Sequence, residues 1–230
     1  MNNGREVMVV SGVRTAIGDF GGALKDFAPT ELGARCVREA LSRAKVAPGE
    51  VGHVVFGNVI HTEPKDMYLS RVCSINGGIP KEVPAVTLNR LCGSGLQAIV
   101  SAAQAIRLGD CDVAVAGGAE SMSRGQYWLP GLRWGQRMND GTVVDAVVGA
   151  LTDPFDGCHM GVTAENVAGD YGVSREEQLA RVTADHVGVE VWQQADATGL
   201  LGWHQYIFGH HPGVSALDVN LLQLSGKRGE

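Results

Sequence analysis

Short apolar runs, each followed by glycine or proline or by a stretch with helical spacing, recur through the first half of this chain. That alternation leaves few folds open to it. Val7-Met8-Val9-Val10 is continuously apolar, as expected of a strand buried on both faces. Pro29-Thr30-Glu31 has the residue types of a helix start, and Leu32, Cys36, Ala40, Leu41 and Ala44 follow at helical spacing until Pro48-Gly49 breaks the pattern. His53 to Ile60 reads as a strand, and Met67 to Asn76 as a helix stopped by Gly77-Gly78. Pro84-Ala85-Val86-Thr87-Leu88 reads as a short buried strand, and Leu96, Ile99, Val100, Ala103 and Ile106 mark one face of the helix after it. Val113-Ala114-Val115-Ala116 is another buried strand, ending in Gly117-Gly118. The alternation predicts an α/β layer sandwich with a largely parallel sheet. Glycine use agrees: 32 of 230 residues, about twice the average, many of them at the ends of apolar runs where tight strand–helix turns belong.

One of those turns carries reactive chemistry. Cys92 stands between the strand at 84–88 and the helix that begins near Leu96, with Gly93 and Gly95 directly behind it. Unpaired amides and the helix dipole at such a position favour an anion, so a thiolate is expected to be accessible there. The two glycines leave room for a substrate to approach the sulfur. A buried inert thiol is the competing reading, since free cysteines are commonly small core residues.

Gly93-x-Gly95-x-x-Ala98 after a strand also imitates a dinucleotide-binding fingerprint. Cys92 occupies the turn, however, earlier strands precede the unit, and no acidic residue closes a second strand about 20 residues on. The net charge of −6 and the lack of any Lys/Arg cluster give no reason to expect nucleic-acid binding. Cysteines at 36, 73, 92, 111 and 158 form no C-x-x-C pair and leave an odd count, so neither a disulfide framework nor a metal site is expected. No secretory leader or membrane-length apolar stretch is visible, and a reducing cytoplasmic compartment is expected.

Asn89-Arg90-Leu91-Cys92-Gly93-Ser94-Gly95-Leu96-Gln97-Ala98 closely resembles the nucleophile segment of the thiolases, the acyl-CoA acetyltransferases. Other segments agree in order and spacing. Arg14-Thr15-Ala16-Ile17-Gly18-Asp19-Phe20-Gly21-Gly22 resembles the family's first strand and loop, and Gly57-Asn58-Val59 its second strand end. Gly117-Gly118-Ala119-Glu120-Ser121-Met122-Ser123 is similar to the motif that opens the loop domain. His159-Met160-Gly161-x-Thr163-Ala164-Glu165-Asn166 resembles the loop-domain helix beside the pantetheine of CoA. The match covers about residues 5–185, and bacterial β-ketothiolases are the relatives it most resembles.

The resemblance implies a thiolase-like layered sandwich, its N-terminal half plus part of the loop domain. Residues 1–120 would form the α/β domain with the nucleophile, 121–185 a partial loop domain on the CoA side, and 186–230 a tail unlike the family. It implies acyl transfer through a Cys92 thioester, in Claisen condensation or in thiolysis of a 3-ketoacyl-CoA, with coenzyme A thioesters as substrates and no covalently bound cofactor. Leu151, His159 and Met160 would line the CoA channel. Taken alone, His159 beside Met160 reads as a satisfied core histidine. Cys36 and Cys111 read as core thiols, Arg14 and Arg71 as structural or interface residues, and Arg124, Arg133 and Arg137 as a solvated face. Assembly into a homo-oligomer is implied for the intact fold.

Departures from the family are concentrated late in the chain. His61 replaces the usual glutamine, and a proline expected soon after Ser123 is missing. Ser174 with Glu177 forms a capping box that opens a helix, yet after Arg181 no Lys or Arg appears until Lys227. The Asn-Glu-Ala-Phe segment, the activating Gly-His-Pro histidine and the second, acid/base cysteine are not found after residue 185. Gly209-His210-His211-Pro212-Gly213 imitates the histidine motif but carries an extra histidine and arrives too early. A truncated or frameshifted gene without full turnover is the expectation, the alternative being a non-catalytic half-thiolase that serves as a binding module.

Overall fold

A computed structural model of the chain describes residues 5–178 and 221–227. These form two compact units, one from residues 5–16, 26–126 and 221–227, the other from residues 17–25 and 127–178. The Gly209–Gly213 stretch lies outside the described residues.

The first unit is built on a five-stranded sheet. Its strands are β1 (Glu6–Val13), β2 (His53–Gly57), β3 (Ala85–Leu88), β4 (Val113–Gly118) and a strand late in the chain, Leu221–Lys227. Strand β2 pairs in parallel with both β3 and β4, in register from Val54 opposite Ala85 to Gly57 opposite Leu88, and from His53 opposite Ala114 to Gly57 opposite Gly118. Residues 221–227 run antiparallel between β4 and β1. The largely parallel sheet expected from the alternation is present, and residues 221–227 of the unusual tail form its one antiparallel strand.

Three helices cover the sheet: α1 (Pro29–Ala44), α2 (Leu69–Asn76) and α3 (Ser94–Leu108). Helix α1 starts with proline at its first turn, as its sequence predicts, and stops at Lys45 in the left-handed conformation. Alternate residues of the central strands feed two separate cores, as the two-residue period of a strand requires. Val54, Phe56 and Val115 meet Leu32, Cys36, Val37, Ala40 and Leu41 of α1 together with Leu69 and Cys73 of α2. Val55, Ala114 and Ala116 meet Ala98, Ala102 and Ile106 of α3. Helices therefore lie on both faces of the sheet, and β2 and β4 are largely buried. Burying a side chain such as Phe56 contributes about 2 kcal/mol of hydrophobic stabilisation.

Two sequence expectations need correction. Strand β1 is outermost in the sheet and is not buried on both faces: Met8, Val9 and Val10 are 49%, 57% and 44% exposed. A continuous apolar run identifies a strand but does not say whether its position is central or peripheral. Helix α3 keeps part of the expected face inward, with Ile106 buried and Ile99 and Ala103 packed beside the core, but centres its contact on another stripe. Ser94, Ala98, Ala102 and Ile106 are its buried residues, whereas Leu96 and Val100 are 69% and 41% exposed. Small side chains at intervals of four let the helix lie close against Ala114 and Ala116, so the inward stripe is not the one with the largest apolar residues.

The second unit is more irregular, as expected of residues 121–165. A two-stranded antiparallel ribbon joins β5 (Tyr127–Trp128) to β6 (Val144–Asp145). Helix α4 (Ala146–Ala150) follows, and Asp145 caps it by accepting from the amides of Val147 and Val148. Helix α5 (Met160–Tyr171) ends at Gly172, whose φ of +64° is the left-handed geometry that glycine adopts freely. The Ser174–Glu177 capping box forms in both directions, at 2.8 Å and 3.2 Å. No helix among the described residues is long and apolar enough to cross a membrane.

Candidate active site

The turn between β3 and α3 holds Cys92 in a tightly bonded frame. The Asn89 side chain accepts from the Leu91 amide at 2.8 Å, and the Gly93 amide donates to the Arg90 carbonyl at 3.1 Å. Ser94 ties the turn together from the helix side: its hydroxyl accepts from the Arg90 amide at 2.8 Å and donates to the Leu91 carbonyl at 2.6 Å. The Arg90 guanidinium then donates to the Gln97 side chain at 2.8 Å, one turn into α3. Leu91, immediately before the cysteine, sits at φ +47°, a conformation that L side chains rarely adopt. Such geometry persists only where surrounding bonds over-determine it, and it occurs preferentially at functional sites.

Cys92 itself is exposed, two residues before the first residue of α3. The expected placement at a helix start is therefore present. A side chain built on Gly95 would meet nothing within 4 Å, so the space at Gly95 is open, whereas Gly93 has only ordinary contacts with Arg90. The amides of Gly95 and Leu96 have no acceptor among the described residues, which leaves hydrogen-bond donors at the helix start. Other cysteines contrast with it. Cys36, Cys73 and Cys111 are buried, and burial pushes all three thiols upward, away from thiolate. Those positions agree with core thiols at 36 and 111 and add Cys73.

Beneath the turn, the ends of β2 and β4 are locked to one another. Gly57 packs so closely on Ser94 that a Cβ there would lie 2.7 Å from the serine Cβ. The Asn58 amide donates to the Leu88 carbonyl at 3.0 Å, at the point where β3 enters the nucleophile turn. The Asn58 side chain donates to the Ala119 carbonyl and to Glu120 Oε1, both at 2.9 Å. Glu120 also accepts from the amides of Val59 at 2.9 Å and Ile60 at 3.0 Å. Its carboxyl is pushed up to about 7, chiefly by burial, which outweighs the lowering effect of the three N–H donors; Asp66 adds a smaller upward push. Sequence reasoning quoted Asn58 and Glu120 within motifs but gave neither a role. A glutamate two residues past the pair of glycines that ends a buried strand was the signal available.

In the second unit, Leu151, His159 and Met160 are held near one another by backbone bonds. The Met160 amide donates to the Leu151 carbonyl at 2.8 Å, and a bridge joins Thr152 to His159. His159 caps α5: its Nδ1 accepts from the Gly161 amide at 3.0 Å, which requires a lone pair there and puts the proton of a neutral ring on Nε2. Cys158 is half-buried, with its sulfur 3.5 Å from the Thr163 hydroxyl.

Arginine assignments divide. Arg71 donates to the Val83 carbonyl at 2.7 Å and to that of Lys81, a structural role. Arg14 donates to the neighbouring Thr15 carbonyl. Arg133 and Arg137 are exposed, as expected of a solvated face. Arg124 corrects that expectation. It is half-buried, pairs with Glu63 at 3.3 Å and donates to the Asp26 carbonyl, because the chain folds back at the end of β4 and places it beside both.

Residues 7–196 match the family model described as "Thiolase, N-terminal domain". The chain is 62% identical over 199 residues to a beta-ketothiolase of Cupriavidus necator, covering 86% of this chain and 49% of that protein. It is 48% identical over 179 residues to an acetyl-CoA acetyltransferase of Syntrophomonas wolfei, covering 76% and 45%. Among solved structures, the Bacillus anthracis acetyl-CoA acetyltransferase matches with a TM-score of 0.80 at 32% identity, covering 99% of this chain and 67% of that one. The human mitochondrial 3-ketoacyl-CoA thiolase in complex with CoA matches with a TM-score of 0.79 at 33% identity, covering 97% and 65%. The chain spans about half the length of the curated relatives it matches.

Proposed function

This chain belongs to the thiolase family, and from that premise we propose that Cys92 is the acyl carrier of an acyl-CoA acetyltransferase. The observation that carries the reading is the exposed thiol held before α3, with open space at Gly95, while three other cysteines are buried. The thiolate attacks the carbonyl carbon of an acyl-CoA, the C–S bond to CoA breaks, and CoA departs as thiol after taking a proton. An acyl thioester remains on Cys92. With a 3-ketoacyl-CoA, cleavage of the carbon–carbon bond releases acetyl-CoA instead. Charge developing on the carbonyl oxygen needs donors aimed at it, and the Cys92 backbone N–H serves as one of them. Leu151, His159 and Met160 line the CoA side, with the ring of His159 held still by its bond to the Gly161 amide.

Turnover also needs a base for the thiol and an acid/base for the second substrate. No Asn-Glu-Ala-Phe, Gly-His-Pro or second Cys-Gly segment of the family type occurs in these 230 residues. The chain by itself therefore supports the acylation half of the reaction and not the condensation or thiolysis half. The substrates are acyl-CoA thioesters, the compartment is cytoplasmic, and the complete fold assembles as a homo-oligomer. Incubation with acetyl-CoA followed by peptide mass analysis tests the reading: acetyl accumulates on Cys92 in preference to the other four cysteines. Equal or absent labelling overturns it.

A second reading rests on Leu96 and Val100, which lie exposed on α3 beside the turn. An apolar strip at that position suits a non-catalytic module that docks another surface. Size-exclusion chromatography over a range of concentrations separates the two. Concentration-dependent association without acetylation of Cys92 favours the module.

A further inference from the structure

We propose that Glu120, acting through Asn58, is the positioning residue for the Cys92 turn: the carboxyl fixes the end of β2, and the end of β2 fixes the turn. The inference rests on Cys92 as acyl carrier and adds a residue with no contact to the thiol.

The connection can be followed bond by bond. Glu120 lies 4% exposed at the end of β4 and takes three donors, two from the backbone of Val59 and Ile60 and one from the Asn58 side chain. Asn58 is fully enclosed, and its side chain reaches both Glu120 and the Ala119 carbonyl, so it cannot rotate without losing two bonds. Its backbone amide holds the Leu88 carbonyl, the last residue of β3 before the turn. One residue earlier, Gly57 presses on Ser94, whose hydroxyl bonds the Arg90 amide and the Leu91 carbonyl on either side of the strained residue. The clamp therefore reaches the turn from two directions, through Leu88 and through Ser94. A left-handed leucine next to the nucleophile needs such support from outside the turn.

A buried glutamate is an expensive way to tie two strand ends together, since an apolar pair would do it without desolvating a carboxyl. Its use here fits a need for geometry rather than for stability. Asp66, the charged group registered against it, comes from the 3-10 turn Pro64–Tyr68; it is buried and accepts from Thr62 and Glu63. The neighbours at the strand ends, Asn58 and Ala119, are neutral. As a carboxylate, Glu120 accepts all three donors at full strength. With its carboxyl near 7, a fall in pH weakens the clamp by protonation.

The test uses the full chain with Glu120→Gln and Asn58→Ser, which remove the clamp from its two ends. Acetylation of Cys92 by acetyl-CoA is expected to fall ~10-fold or more, the scale on which small misplacements act. Alkylation of Cys92 by iodoacetamide, which makes little geometric demand, should be unchanged, and Cys36, Cys73 and Cys111 should stay protected. The wild-type to Glu120→Gln ratio of acetylation rates should rise as pH passes about 7. Hydrogen exchange in the peptide covering 89–96 should quicken in both variants while α1 is unaffected. Wild-type acetylation in both variants overturns the inference, as does exposure of the buried cysteines in step with any loss, which marks a purely structural role. Failure of the wild type itself to acetylate at Cys92 overturns the acyl-carrier reading instead, and the exchange measurement then decides the clamp by itself. Faster exchange confined to the turn upholds it, and unchanged exchange removes it.

Discussion

Replacing Glu120 by glutamine should alter how stability depends on pH in a way that can be worked out beforehand. The carboxyl moves from its ordinary 4.5 in the unfolded chain up to about 7 in the fold, mainly through burial. Between those values the folded protein holds a proton that the unfolded chain has lost, so folding becomes less favourable as pH rises. The stabilisation is fully present below about 4.5 and is lost as pH climbs through about 7. At 1.36 kcal/mol per unit, the interval from 4.5 to about 7 corresponds to about 3 kcal/mol. Glutamine cannot titrate. Urea unfolding of wild type and Glu120→Gln, from about pH 4.5 to about pH 8, isolates this group because every other titration cancels in the difference. The wild type should lose about 3 kcal/mol relative to the variant across that range. Parallel curves would refute the buried, elevated carboxyl, and a relative gain by the wild type at high pH would reverse its sign. The direction also opposes that of the clamp: the fold is most stable with Glu120 protonated, whereas the turn is best held with it ionised. Such opposition between stability and site geometry is a common feature of functional positions.

Other substitutions probe separate links. Gly57→Ala puts a Cβ 2.7 Å from that of Ser94, so labelling of Cys92 by acetyl-CoA should drop along with the melting temperature; full labelling would show that the turn tolerates the displacement. Ala102→Leu forces bulk between α3 and the sheet, and urea melts should show a loss of about 1–3 kcal/mol; no loss would mean the small-residue stripe is not closely packed. Leu91→Asn replaces a half-exposed side chain held at φ +47° with one that tolerates that conformation, and should stabilise by about 1 kcal/mol in the same assay.

Much of this architecture could be read from the chain because strand and helix announce themselves differently. The continuous apolar runs at β2 and β4, and the abrupt change of period around Cys92, are signals that local sequence carries well. The inward face of α3 was not legible in the same way. Alanines at 98 and 102 contribute little to an apolar pattern, yet they face the sheet because only small residues fit against Ala114 and Ala116. The exposure of Met8, Val9 and Val10 depends on the place of β1 in the sheet order, which its own residues do not encode. Arg124 looked like a surface charge because its partners, Glu63 and the Asp26 carbonyl, are far away in sequence. Glu120 escaped for a related reason. A single carboxylate in a glycine-rich stretch reads as a turn residue until three donors from the end of β2 are seen to converge on it. The place of Cys92 just before a helix was legible from local sequence, and its flanking residues carry the resemblance on which its proposed role as acyl carrier rests.

The most direct test of Cys92 as acyl carrier is exchange of labelled CoA into unlabelled acetyl-CoA, catalysed by this chain alone. A reversible thioester on Cys92 transfers acetyl to the labelled thiol and needs neither the second substrate nor the condensing step. Labelled acetyl-CoA should form with the wild type and not with Cys92→Ala. Exchange that survives in Cys92→Ala, or a wild type that produces no labelled acetyl-CoA, would contradict it.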